Sequence, residues 1–125
     1  QICIAMAEPQ DLIFNNIIKQ IIKKSLFTER QIQIILNQSD LQKSRFSITK
    51  GAYFRQVKQS RDKLLALYYS IVLLKGLGVL LPEDVELMSG LSEQVSVIQG
   101  SDVFPEREEE IINVIAELLR RACRV

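Results

Sequence analysis

Residues 27–63 read FTERQIQIILNQSDLQKSRFSITKGAYFRQVKQSRDK, and the fold turns on how this stretch divides. Thr28 and Gln31 stand at capping-box spacing, where a hydroxyl and an amide satisfy backbone donors at a helix start. Ile32, Ile35 and Leu36 supply the apolar face of the helix so opened. The polar segment Asn37 to Ser47 is long enough for one short helix around Asp40 to Lys43. Ser47 or Thr49 then caps the longest pattern. Tyr53, Val57, Ser60, Leu64, Leu67, Ile71 and Leu74 recur at helical spacing, to a stop at Gly76.

Working outward, the same periodicity continues. Leu12, Ile13, Ile17, Ile21 and Ile22 follow Pro9 and predict a helix of about four turns, ending near Ser25. Pro82 opens a fourth helix through Val85, Met88, Leu91, Val95 and Ile98, closed by Gly100. After Ser101 or Asp102, Pro105 opens the last, with Ile111, Ile112, Ile115, Leu118 and Leu119. Its acids (Glu106, Glu108, Glu109, Glu110) come first and its arginines (Arg120, Arg121, Arg124) last, which complements the helix dipole. Val79 to Leu81 could form a brief strand of a wing hairpin, but no partner strand is evident. The expected class is all-α. One domain is expected over residues 1–125, with a basic half at 12–75 and an acidic helical half at 76–125.

Composition removes many functions. The 125 residues are 47% hydrophobic and 25% charged, which fits a globular domain with a core and excludes a disordered tail. Histidine is absent, so Ser-His-Asp triads, Cys-His nucleophiles and His-based zinc sites are excluded. Cys3 and Cys123 form no CxxC pair, giving no metal knuckle and pointing to a reducing, cytoplasmic setting. Cys123 lies at a helix C-terminus, which works against a thiolate. No phosphate-binding glycine loop, EF-hand loop or nucleophile elbow is present. The carboxylates at Glu83/Asp84 and Glu108 to Glu110 are read as solvated charge at helix starts. Neither an enzyme nor a cofactor is expected, and no small-molecule ligand is evident.

Leu64 to Leu81 is the only stretch apolar enough to consider for a membrane. Lys75, Gly76 and Gly78 interrupt it, and Leu64 to Leu74 is about half the ~20 residues of a span. A buried helix is expected. Residues 1–6 do not resemble a signal peptide, and Met6 is a candidate start preceded by tag residues.

Net charge is only +1, but it is unevenly spread. Residues 12–75 hold twelve Lys/Arg against three acids, a balance of +9; residues 76–125 hold four against ten, or −6. A basic half suits a polyanion. With Val57 at the centre of the buried face and 100° per residue, Tyr53, Ser60 and Leu64 fall beside it. Gly51, Arg55, Lys58, Gln59 and Asp62 fall on the far side, with Ala52 near them. Small residues let a helix approach a groove; arginine and glutamine read base edges, and lysine holds phosphates.

Thr28-Glu29-Arg30-Gln31 before an isoleucine-rich helix resembles the opening of the helix-turn-helix in sigma-factor region four. Ser47-Ile48-Thr49-Lys50-Gly51-Ala52-Tyr53, followed by Arg55-Gln56-Val57, is similar to the start of recognition helices in archaeal and bacterial transcription regulators. The resemblance implies a helix-turn-helix-like unit with a long third helix in the major groove; the helices opened by Pro82 and Pro105 add a C-terminal helical pair beyond it. By it, Thr49, Lys50, Arg55, Gln56 and Gln59 would read DNA, with Arg45 and Lys58 on the backbone. Double-stranded DNA is thus the expected partner. The alternative is a non-catalytic interaction module whose basic and acidic halves dock partner proteins.

A homodimer is also expected. Leu64 to Leu74 is apolar on nearly every side, and a helix apolar all round must be buried all round. Ile111 to Leu119 carries a similarly broad stripe.

Overall fold

The structure, a computed structural model, describes residues 14–42, 45–100 and 105–125. Among them are five helices and no strand: α1 (Asn16–Lys24), α2 (Glu29–Gln38), α3 (Lys50–Gly76), α4 (Pro82–Gln99) and α5 (Pro105–Ala122). The all-α expectation holds, and Val79 to Leu81 is not a strand. No helix here is long and apolar enough to cross a membrane. Contacts divide the described chain into two compact units, residues 22–69 and residues 14–21 with 70–125. The division falls within α3 after Tyr69, whereas the charge pattern changes after Lys75.

In the first unit the capping box forms as its spacing requires. The Gln31 N–H donates to Thr28 Oγ1 at 3.1 Å, and the Thr28 N–H to Gln31 Oε1 at 3.0 Å. The buried face of α2 differs from the expected one. Ile34 (0% exposed) and Gln31 are its buried residues, while Ile32, Ile35 and Leu36 are half-buried. The stripe starts one residue earlier because Gln31 has partners for its amide and can go inside.

The expected short helix does not form at residues 39–42; Lys43 lies outside the described residues. Instead α2 stops in a Schellman arrangement. Asp40 takes φ 58°, its N–H donates to the Asn37 carbonyl, and the Leu41 N–H to the Leu36 carbonyl. That geometry turns the chain away from the helix axis. Residues 39–49 then lead to α3.

The end of α3 repeats the device. Gly78 takes φ 83°, its N–H donates to the Lys75 carbonyl, and the Val79 N–H to the Leu74 carbonyl. Gly78, not Gly76, is therefore the stopping glycine; Gly76 is still helical. A Cβ at Gly78 would meet nothing within 4 Å, so substitution meets backbone strain alone. Gly78→Ala is expected to cost about 1–2 kcal/mol in urea unfolding, the penalty of the left-handed region for a residue with a Cβ.

In the second unit α1 begins later than Pro9 suggests. Asn15 caps it, Oδ1 accepting from the Ile18 N–H at 3.0 Å, so Phe14 and Asn15 lie before the helix. Leu12 and Ile13 lie outside the described residues. Asn15 Nδ2 also donates to the Ile98 carbonyl at 3.0 Å, tying the start of α1 to the end of α4. Phe14, Ile17, Ile18, Ile98 and Ile112 are the buried apolar residues of this unit.

Asp84 departs from the solvated charge expected of it. It is 4% exposed, accepts the Leu81 N–H at 2.9 Å, and is gripped at both oxygens by Arg124, at 3.2 and 2.6 Å. These bonds, Arg124's first, hold its carboxyl below the usual 3.8. A carboxyl lowered in the folded state adds stability above its unfolded value, and loses it as pH falls through the folded one. The melting temperature should thus drop as pH falls from about 5 to below 3. Arg124→Gln should start lower at neutral pH and drop less over that window, as thermal melts across pH will show.

Candidate nucleic-acid interface

The first turns of α3 are fixed from behind. Ile34, Phe46, Tyr53 and Val57 form one buried cluster, with Ile48 packed against it. The Tyr53 hydroxyl accepts from Asn37 Nδ2 and donates to Gln38 Oε1, both at 2.7 Å, while its ring meets Phe46 at 5.4 Å. Lys63 Nζ donates to the Leu26 carbonyl and to Gln31 Oε1, both at 2.9 Å. One turn earlier Ser60 is 2% exposed, and its hydroxyl bonds to no described residue. A side chain this small leaves room at the buried face of α3. These contacts join α2 to α3 along one face and leave the other outward.

On that outward face Gly51, Arg55, Lys58, Gln59 and Asp62 are all exposed, as the wheel requires. Lys58 pairs with Asp62 at 2.8 Å, but both are well exposed, and such an i, i+4 pair is worth only about 0.3–0.5 kcal/mol. A phosphate can displace it. The side chains of Arg55 and Gln59 hydrogen-bond to no described residue, so their donors are open to a ligand.

The remaining predicted positions are placed differently. Thr49 caps α3: its hydroxyl accepts from the Ala52 N–H at 3.1 Å, leaving the hydroxyl proton for a ligand. Lys50 is exposed, but lies near the angle of Val57 and projects from the helix start rather than from the Arg55 face. Gln56 is half-buried on the flank. Arg45 is exposed in the connection before α3. The structure thus brings Arg55, Lys58 and Gln59 together and sets Lys50 and Gln56 apart from them.

Two cations escaped the sequence reading. Arg61 is exposed at the rim of a groove of about 160 Å³ lined by Ile34, Ile35 and Ser60. Its spacing of three from Lys58 was the available signal. Arg30 lies 5.7 Å over the Phe46 ring, a cation–π contact that no sequence spacing announces. Cys123 is a free, exposed thiol, and no cluster of metal-ligating side chains occurs among the described residues. Compared with known families, curated proteins and solved structures, the chain matches none.

Proposed function

We propose that the chain is a DNA-binding transcription regulator, acting as a homodimer, with α3 entering the major groove. Arg55, Lys58 and Gln59 on the outward face of a helix held against α2 are the observation that carries this reading. The first turn of α3 supports it. It holds Lys50 and no acid, a choice that weakens an isolated helix but suits a phosphate at its N-terminus. In a helix-turn-helix-like arrangement α2 crosses the sugar-phosphate backbone, and residues 39–49 take the place of the turn. Arg55 and Gln59 then face base edges, while Arg45, Lys50 and Lys58 hold phosphates.

A gel-shift titration on unrelated duplexes at two salt concentrations tests the reading. Three phosphate contacts from each of two copies would cost ~10³-fold in affinity between about 50 and 200 mM salt. Absence of binding to any duplex at the lower concentration defeats it. One observation favours the interaction module instead. In the second unit a largely apolar groove of about 460 Å³ is lined by Leu74, Val79, Leu80, Met88 and Leu119. Binding to one protein partner, with weak salt dependence, would mark that reading.

A further inference from the structure

Ser60 is the odd member of its stripe. Tyr53, Val57 and Leu64 share its side of α3, where a buried position calls for an apolar side chain. A serine inside a helix ordinarily returns its hydroxyl to the carbonyl four residues back. Ser60 does not. It is 2% exposed, and its Oγ bonds neither to Gln56 nor to any other described residue. A buried hydroxyl without a partner has left water and gained nothing, so alanine would serve the fold at least as well here.

The groove that Ser60 lines has room for a partner. Its volume is about 160 Å³, close to the ~150 Å³ of a cavity that takes up a benzene ring. Ile34 and Ile35 form its apolar wall on α2, and Val57 and Leu64 that on α3. The polar groups around it can all donate. Gln38 spends Oε1 on the Tyr53 hydroxyl, while its amide nitrogen donates to no described residue. Arg61 at the rim is exposed and pairs with no acid among the described residues. The lining therefore holds one cation, no acid and an apolar patch the size of a ring. All of it lies within the first unit.

We infer that this groove is a binding site for a small aromatic carboxylate carrying one further hydroxyl. The ring lies between the isoleucines of α2 and the Val57 and Leu64 side chains of α3. Its carboxylate meets the Arg61 guanidinium at the rim, where both keep part of their water. Its hydroxyl bonds with Ser60 Oγ, the group on the buried side that has nothing else to bond. A cationic molecule would be repelled by Arg61, and a wholly apolar one would leave Ser60 unpaired. The site stands whether or not the chain binds DNA, since no residue of the Arg55 face takes part in it.

Nuclear magnetic resonance of the full chain, labelled at its isoleucine methyls, tests the site without DNA. The probes are benzoate and its meta- and para-hydroxy derivatives. The Ile34 and Ile35 methyls should shift saturably, and one hydroxybenzoate should bind about three- to tenfold tighter than benzoate. Ser60→Ala should be at least as stable as the wild type in urea. It should erase that preference and leave benzoate binding unchanged, which a merely structural serine would not do. Arg61→Gln should weaken all three probes about tenfold, and benzyl alcohol, which lacks the charge, should bind the wild type as weakly. Loss of stability in Ser60→Ala would show that the hydroxyl is satisfied within the fold, and would overturn the inference. So would methyls that stay still at tens of millimolar probe, or a hydroxybenzoate preference that survives Ser60→Ala.

Discussion

Replacing Arg55 and Lys58 together by alanine is expected to weaken duplex binding strongly while leaving the fold intact. An arginine placed on a guanine edge is worth about 1–3 kcal/mol at its half-site, and its loss relaxes preference at that one position. A lysine on a phosphate contributes differently. Its removal weakens binding to every sequence alike and lowers the salt slope by about 1 per contact, or about 2 for a dimer. The double variant should therefore lose both affinity and salt sensitivity in an anisotropy titration. Stability should change by less than ~1 kcal/mol, because both side chains are exposed and Lys58–Asp62 is a surface pair. Unchanged affinity in a folded double variant would remove α3 as the reader.

Ile34→Ala is expected to have the largest effect on stability. Ile34 is 0% exposed and shares its cluster with Phe46, Tyr53 and Val57, so truncation leaves a cavity that neighbours fill only in part. Such changes cost about 2–5 kcal/mol, a sizeable share of the ~5–15 kcal/mol that holds a domain together. Leu36→Ala, at a half-buried position, should cost less than half as much. Urea unfolding of the two variants separates the observed face of α2 from the one that hydrophobicity alone suggests. Equal losses would restore the Ile32–Ile35–Leu36 face.

Much of the fold could be read from the chain because helices are local. The Thr28–Gln31 cap, the Pro82 and Pro105 starts, and the outward set Arg55, Lys58 and Gln59 all follow from spacings of three and four. What stayed hidden depends on distant partners. Gln31 and Asp84 look like surface residues until Lys63, 32 positions away, and Arg124, 40 positions away, are seen to reach them. A hydropathy pattern has no access to such pairs, so it shifted the face of α2 and left Asp84 in solvent. Helix ends were misread for a related reason. Asn15, Asp40 and Gly78 act through backbone hydrogen bonds and φ, whereas composition offered Pro9, a short helix at Asp40 and Gly76. At the candidate site the positions along the helix were legible. The cap at Thr49 was one of the two that the sequence offered, while the place of Lys50 at the helix start, off the Arg55 face, was not drawn from it.

Gln31 makes two events one. Its Oε1 accepts both the Thr28 N–H, which starts α2, and the ammonium of Lys63, which belongs to α3. While Lys63 holds that oxygen, the glutamine side chain has little freedom left to lose, so the cap closes at small entropic cost. When Lys63 withdraws, the amide regains its rotamers and the first turn of α2 frays. Helix initiation in one segment and docking of another are thus coupled through one amide oxygen.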